Sequence, residues 1–141
     1  RFHPHKYVIW QCQKDTDAEK MVCLAGGERT GGYLGRCHFI EMYLPSWLRQ
    51  PVMPSAGKLG YPNASLIEGV AGGAHQVRGK TASAIIEDEL AFQPEAAGVY
   101  QAVAPLIQKA CQFIAVSTPN GPTGMFSELY HGRQILVTTP A

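Results

Sequence analysis

Three consecutive acidic residues, Glu87, Asp88 and Glu89, end the apolar segment "SAIIEDE". A buried strand that ends in adjacent Asp and Glu places two carboxylates at the carboxyl edge of a parallel sheet, where ligands of open α/β sheets bind. There Asp88 could hold a Mg²⁺-bound water, and Glu89 could orient or deprotonate a water that attacks a phosphate. The alternative is a solvated acidic turn that caps the next helix. This pattern alone leaves both interpretations open.

The tripeptide Gly79-Lys80-Thr81 is a second place where phosphate could bind, because it matches the end of the phosphate-loop consensus. That loop needs a glycine, four residues and then Gly-Lys-[ST], with a helix directly behind it. Here five residues separate Gly73 from Gly79, and an apolar strand pattern follows Thr81 within a few residues. The sequence therefore predicts that this tripeptide is not a phosphate loop.

The elements around the acids predict where the acids lie. "KYVIWQC" (6–12) is typical of a buried strand, "ASAIIEDE" of a strand that ends in acids, and "CQFIAVSTPNG" of an apolar strand that ends in hydroxyls. "QPEAAGVYQAVAPLIQKA" is a helix with Pro94 in its first turn. Its predicted buried face consists of Val99, Val103, Leu106, Ile107 and Ala110. The order strand, helix, strand predicts a right-handed parallel crossover.

The other segments give weaker patterns. Thr16 and Glu19 have the spacing of a capping box, so a helix is predicted there, and "ERTGGYLGR" (28–36) is predicted to be a flexible connection. A turn at "YPNA" is predicted to lead into a strand at "SLIEGV", and "QILVTTPA" (134–141) to begin one more strand. An amphipathic helix kinked at Pro45, with Tyr43 and Trp47 in the core, is predicted from the helical spacing of Ile40, Tyr43, Leu44, Trp47 and Leu48.

Composition limits the class of protein. The 141 residues are 45% hydrophobic and 16% charged, which predicts one compact domain. The net charge of +1 excludes steering by overall charge, although a local basic strip could still contact nucleic acid. No apolar run is long enough to span a membrane, and no signal-peptide pattern precedes "KYVIW", which predicts a cytoplasmic protein. The four cysteines lack paired spacing, so we expect reduced thiols and no zinc site.

A family resemblance is carried by the order of these motifs. "VRGKTASAIIEDELAF", a helical stretch and "FIAVSTPNGPTGMFSELY" closely resemble the ATPase domain of the large terminase subunit, the motor that packages DNA in tailed bacteriophages. The family pattern is an Arg-Gly pair, an apolar strand closing in Asp-Glu (the Walker B motif), a helix, and a strand closing in "STP-G" (the coupling motif). This sequence supplies Arg78-Gly79, Asp88-Glu89 and Ser117-Thr118-Pro119 with Gly121. "VIWQCQKDTDAEKM" and "NASLIEGV" also resemble family segments, so the resemblance covers most of the chain.

The resemblance implies a P-loop NTPase-type (ASCE) α/β fold over residues 1–141, with the Walker B strand at 84–89 and the coupling-motif strand at 112–118. It implies that Asp88 holds Mg²⁺ and that Glu89 is the catalytic carboxylate that polarises water. Ser117 and Thr118 would sense the γ-phosphate of ATP, the alternative being that they only cap the following turn. Arg78 would reach the nucleotide of a neighbouring subunit, or would make a simple phosphate or carboxylate contact.

The implied cofactors are ATP and Mg²⁺. The implied partners are double-stranded DNA, the portal protein, the small terminase subunit and further copies of the chain in a ring, with no membrane. The implied location is the cytoplasm of the infected bacterial host, with transient docking on the procapsid. Two other classes remain open: a helicase-like nucleic-acid translocase, and a non-catalytic interaction module or remnant.

The sequence departs from the family pattern in three places. The family's Walker A loop lies upstream of a segment like "KYVIWQC", and its nuclease domain follows the coupling motif, yet this chain runs from Arg1 to Ala141. We therefore expect a truncated piece without the phosphate-loop strand and helix, inactive on its own. Glu87 stands where an apolar or small residue is usual, so the three acids are expected to depend more heavily on a cation.

Overall fold

The computed structural model describes residues 3–13, 33–55 and 57–132. The strands within these ranges are β1 (Tyr7–Cys12), β2 (Met53–Ser55), β3 (Lys58–Gly60), β4 (Leu66–Ala71), β5 (Ala84–Asp88) and β6 (Gln112–Val116). The helices are α1 (Tyr33–Tyr43), α2 (Ala74–Val77), α3 (Ala96–Ile107) and α4 (Met125–Tyr130), with a short 3-10 helix at Leu90–Phe92.

The strands form one six-stranded sheet in the order β2-β3-β4-β1-β5-β6. The pairs β4–β1, β1–β5 and β5–β6 are parallel, whereas β2–β3 and β3–β4 are antiparallel. The mixed α/β fold with a mostly parallel sheet is therefore confirmed. So are the strands predicted in "KYVIWQC", "SLIEGV", "ASAIIEDE" and "CQFIAVSTPNG", the turn at "YPNA", and the parallel β5–α3–β6 connection.

The main core lies between one face of the sheet and α3, with α2 and α4 beside it. Its residues alternate along the strands and recur every four residues on α3: Ile9, Ile85, Val99, Val103 and Ile107. The helical spacing also places Ala110 on this face, but Ala110 is exposed. Helix α3 ends at Ile107, and Ala110 has φ 69° in the turn that reverses the chain into β6.

A smaller core of Leu34, Leu59 and Tyr61 joins α1 to β3 and the following turn. The predicted helix over Ile40 to Leu48 is wrong, because α1 begins at Tyr33 and ends at Tyr43. The proline ring at position 45 disfavours the helical conformation of the preceding residue, and the backbone amides of Leu48 and Arg49 then close a turn on the carbonyl of Pro45.

The predicted burial on that helix is also wrong. Tyr43 is 72% exposed and Trp47 is 82% exposed. The stretch "YLGR" belongs to α1 and not to a flexible connection, while residues 28–32 lie outside the described residues. The helix predicted at Thr16–Glu19 and the strand predicted at 134–141 also lie outside them. No helix in the described part of the chain is long and apolar enough to cross a membrane.

Candidate functional site

The end of β5 and the residues after it form the acid turn, which comprises residues 88–93. Asp88 is the last residue of β5, and Glu89 follows with φ 55° and ψ 39°, the left-handed conformation, before the 3-10 helix Leu90–Phe92. Few residues other than glycine adopt this conformation without surrounding contacts that impose it. Asp88 pairs with Val116 of β6, so the next residue of each strand, Glu89 and Ser117, emerges at the same edge of the sheet.

Ser117 joins the two strand ends by hydrogen bonds. Its hydroxyl accepts from the backbone amide of Ala91 at 3.1 Å, and Oγ lies 3.5 Å from Glu89 Oε2 and 3.0 Å from the carbonyl oxygen of Thr118. The side chain of Asn120 donates to the carbonyl oxygen of Ala91 at 3.2 Å. Both backbone groups of Ala91 are therefore bound by side chains of the loop that follows β6.

Glu87 does not belong with Asp88 and Glu89, contrary to the expectation of three acids in one charged group. Alternation along β5 directs Glu87 into the main core, where it is fully buried, and Asp88 to the opposite face. Burial raises the pKa of the Glu87 carboxyl to about 8, although a hydrogen bond from Gln93 lowers it. Glu87 is therefore mostly neutral at pH 7 and adds little charge to the site.

Two buried glutamines accompany Glu87, and the sequence patterns did not single them out. Gln11 is the register partner of Glu87 on β1 and donates Nε2 to the carbonyl oxygens of Ala71 and Gly73 at 2.6 and 3.0 Å. Gln93 donates Nε2 to Glu87 Oε2 at 3.2 Å and to the carbonyl oxygen of Asp88 at 2.9 Å. The sequence carries one signal, for Gln11 alone: it is a polar residue at a position of β1 where strand alternation predicts a buried side chain.

The other predicted site residues lie farther from the acids. Thr118 is exposed in the loop after β6, and only its carbonyl oxygen is tied to Ser117. Arg78 is exposed at the end of α2, on the connection into the amino end of β5, whereas Asp88 and Glu89 lie at the carboxyl end. Among the described residues its side chain makes no contact with either acid, so the fold does not bring Arg78 together with Asp88 and Glu89.

Lys80 of the "GKT" tripeptide forms an ion pair with Glu68 of β4. Its ammonium lies 3.0 Å from Glu68 Oε1, and strand β5, not a helix, follows the tripeptide. Glu68 also pairs with Lys58 at 3.6 Å and accepts a hydrogen bond from the Tyr7 hydroxyl. Burial raises the pKa of Glu68, but the hydrogen bonds from Tyr7 and Lys80 and the charges of both lysines hold it below its ordinary value. The strand expected directly after the tripeptide is confirmed, while the absence of phosphate binding there stays a prediction.

The donor set at the acid turn suits a hard cation. Asp88, Glu89 and Ser117 offer carboxylate and hydroxyl oxygens, and Mg²⁺ prefers one or two carboxylates completed by water and phosphate oxygens. Within the described ranges no three His, Cys, Asp or Glu side chains converge as a closed metal cage. The oxygen donors present are therefore of the type that an open Mg²⁺ site uses.

Comparison with known proteins finds solved structures with a similar fold. Neither a family model nor a curated protein sequence matches the chain. The large terminase from a thermophilic bacteriophage superposes with a TM-score of 0.62 at 13% identity, over 94% of this chain and 31% of that one. The large terminase ATPase domain of Thermus phage P74-26 superposes with a TM-score of 0.54 at 18% identity, over 84% of this chain and 50% of that domain.

At these identities the comparisons establish the fold, which is that of the ATPase domain of large terminases. The chain spans 31% of the first of these proteins and half of the P74-26 domain, so it corresponds to part of each neighbour. The class that the fold defines is thus a mixed α/β domain whose architecture matches part of both neighbours.

Proposed function

We propose that this chain is part of the ATP-hydrolysing motor of a large terminase, which moves double-stranded viral DNA into a procapsid. The observation that carries the proposal is the placement of Asp88, Glu89 and Ser117 at adjacent carboxyl ends of two parallel strands, joined through Ser117 and Ala91. This edge is where ligands of open α/β sheets bind. The fold shared with two terminase ATPases supports the same assignment.

Each residue takes a role that its position allows. Asp88 would hold Mg²⁺, and the ion would supply positive charge that offsets the phosphates of ATP. Glu89 orients and polarises the attacking water. Ser117, which touches both Glu89 and Ala91, responds to the γ-phosphate together with Thr118. Arg78 is exposed and remote from the acids of its own chain, which fits a guanidinium that reaches the nucleotide of a neighbouring subunit in a ring.

The proposed partners follow from this assignment. A packaging motor acts on double-stranded DNA, docks on a portal protein, cooperates with a small terminase subunit and works in the cytoplasm of an infected bacterium. The second candidate is a non-catalytic interaction module, and the exposed side chains of Tyr43 and Trp47 on and after α1 favour it. ATP binding by the full-length protein decides between the two.

The decisive experiment compares two conservative variants of the acids in the full-length protein. Glu89→Gln keeps the size of the side chain but removes the charge that polarises water, so ATP should bind with near-normal affinity. Single-turnover hydrolysis should then fall at least ~100-fold, the low end of what a positioned acid-base group contributes. Asp88→Asn should weaken Mg²⁺-dependent nucleotide binding as well, because the metal holds the phosphates.

Glu128→Gln on α4 is the matched control, since it makes the same chemical change outside the acid turn. Normal hydrolysis by Glu89→Gln would overturn the assignment, because Glu89 would then be only an acid at the start of the 3-10 helix.

A further inference from the structure

Gln93 is the last residue of the acid turn. The residue follows the 3-10 helix and is only 7% exposed. Its side-chain amide donates to the carbonyl oxygen of Asp88 and to Glu87 Oε2, while its backbone amide donates to the carbonyl oxygen of Leu90. One residue thus contacts the turn on both sides of Glu89.

The orientation of the Gln93 amide is fixed by its partners. A flipped amide would bring Oε1 against the carbonyl oxygen of Asp88, two acceptors facing each other. The Nε2 group must therefore face Asp88. Because this carbonyl belongs to the peptide group between Asp88 and Glu89, the hydrogen bond sets the plane of that peptide.

The plane of that peptide matters because Glu89 has a positive φ. A residue with a side chain pays a free-energy cost in the left-handed region, and it stays there only where neighbouring contacts impose the conformation. Side chains bind the backbone of the turn at three places: Gln93 at the Asp88 carbonyl, Ser117 and Asn120 at Ala91, and Gln13 at the Phe92 carbonyl, 2.8 Å away. Among these, only the contact of Gln93 acts on the peptide group that precedes Glu89.

We propose that Gln93 is a positioning residue of this site: its amide holds the Asp88–Glu89 peptide and thereby directs the Glu89 carboxylate toward the space beside Ser117. The activity part of this inference rests on the proposed ATPase function, whereas the structural part does not. Gln93 itself touches neither nucleotide nor reacting water in this role.

The test replaces Gln93 by Met, which keeps length and apolar volume but removes the donor. Gln11→Met is the matched control, because Gln11 is equally buried at the same end of the sheet but donates to Ala71 and Gly73 and not to the acid turn. Amide hydrogen exchange of Phe92 and Gln93, whose amides donate to Glu89 and Leu90, is measured by NMR on this chain. We expect exchange at these two amides to be at least tenfold faster in Gln93→Met than in Gln11→Met.

A double-mutant cycle with Glu89→Gly makes the test independent of folding yield. Glycine adopts positive φ freely, so the turn should no longer need Gln93. In the Glu89→Gly background, Gln93→Met should accelerate exchange at Phe92 by less than threefold. Equal acceleration in both backgrounds would overturn the proposal, as would equal effects of Gln93→Met and Gln11→Met at the turn. If Gln93→Met alone does not fold, recovery of folding by Glu89→Gly supports the proposal and failure to recover overturns it.

Kinetics of the full-length protein separate the two proposals. If Gln93 positions Glu89, Gln93→Met lowers kcat about tenfold or more with the KM for ATP changed less than threefold, and Gln11→Met does not. A wild-type protein that neither binds nor hydrolyses ATP would overturn the proposed function, and the exchange rates would then decide the role of Gln93 alone.

Discussion

At the scale of single residues, three adjacent carboxyl groups have three different environments. Glu87 is fully buried, Asp88 ends the strand on the opposite face, and Glu89 is exposed in a left-handed turn. The difference follows from the two-residue period of a strand, which alternates side chains between the faces of the sheet. A run of acids in a sequence therefore need not be a single charged site.

Glu87 makes the stability of the protein depend on pH. Its folded pKa of about 8 exceeds the unfolded value of 4.5, so the native state binds an extra proton between these pH values. The free energy of unfolding therefore falls as pH rises through this window. Above the folded pKa it falls no further on account of Glu87. Glu87→Gln keeps the shape of the side chain but has no ionisable group. The difference in free energy of unfolding between this variant and the wild type should therefore change by more than about 2 kcal/mol from pH 5 to pH 8.

Urea denaturation of both proteins at the two pH values, without divalent metal, measures this shift. The variant should gain in relative stability as pH rises. Parallel profiles for the two proteins would mean that the Glu87 carboxyl has the same pKa in the folded and the unfolded states.

Lys80 gives a second prediction at this scale. Since its ammonium is bound to Glu68 near the amino end of β5, Lys80→Ala should leave the ATP affinity of the full-length protein within about twofold. The lost pair is partly exposed, so unfolding free energy should change by less than about 1 kcal/mol. A 100-fold weaker affinity in a nucleotide titration, about 2.7 kcal/mol, would instead identify Lys80 as a phosphate ligand.

At the scale of elements, the loop after β6 holds both backbone groups of one residue in the turn after β5. Ala91 gives its backbone amide to Ser117 and receives the Asn120 amide on its carbonyl oxygen. A shift of this loop must therefore move the 3-10 helix next to Glu89. This is a physical route by which a displacement passes from one strand end to the other.

Asn120→Ala tests this connection. Removing one exposed hydrogen bond, worth about 1 kcal/mol, should speed amide exchange at Ala91 roughly fivefold while the rest of the sheet is unchanged. Asn63→Ala is the control, because Asn63 donates to the carbonyl oxygen of His3 in the turn that precedes β4 and should not affect Ala91. Unchanged exchange at Ala91 in Asn120→Ala would show that Ser117 alone holds the loop to the turn.

The elements were more predictable from sequence than the contacts between them. Short apolar segments bounded by turn residues defined β1, β4, β5 and β6, because burial selects the same residue types in any parallel sheet. Gln11, Gln93 and Asn120 were not found. Gln11 and Asn120 bind backbone groups that are distant in sequence, and Gln93 binds the Asp88 carbonyl within an irregular turn. Such contacts leave no periodic signal.

At the scale of the whole molecule, the described residues cover the two faces of the sheet unequally. Within residues 3–13, 33–55 and 57–132, helices α2, α3 and α4 cover one face with the main core, whereas α1 covers the region of β3 and β4 on the other. The helical spacing of Tyr43 and Trp47 predicted that both side chains are buried, but the described residues leave both exposed. Periodicity reports that a segment has an apolar face, but not whether that face meets the core of the same domain.

The difference in burial between the two faces can be tested by measuring the free energy of unfolding of two variants. Trp47→Ser should change the free energy of unfolding by no more than about 0.5 kcal/mol, because the side chain is 82% exposed. Ile85→Ala should cost about 2–5 kcal/mol, because this fully buried residue on β5 leaves a cavity under α3. Urea denaturation of this chain provides both values. A cost above about 2 kcal/mol for Trp47→Ser would place the indole inside the folded chain and would remove the exposed aromatic surface that favours an interaction module.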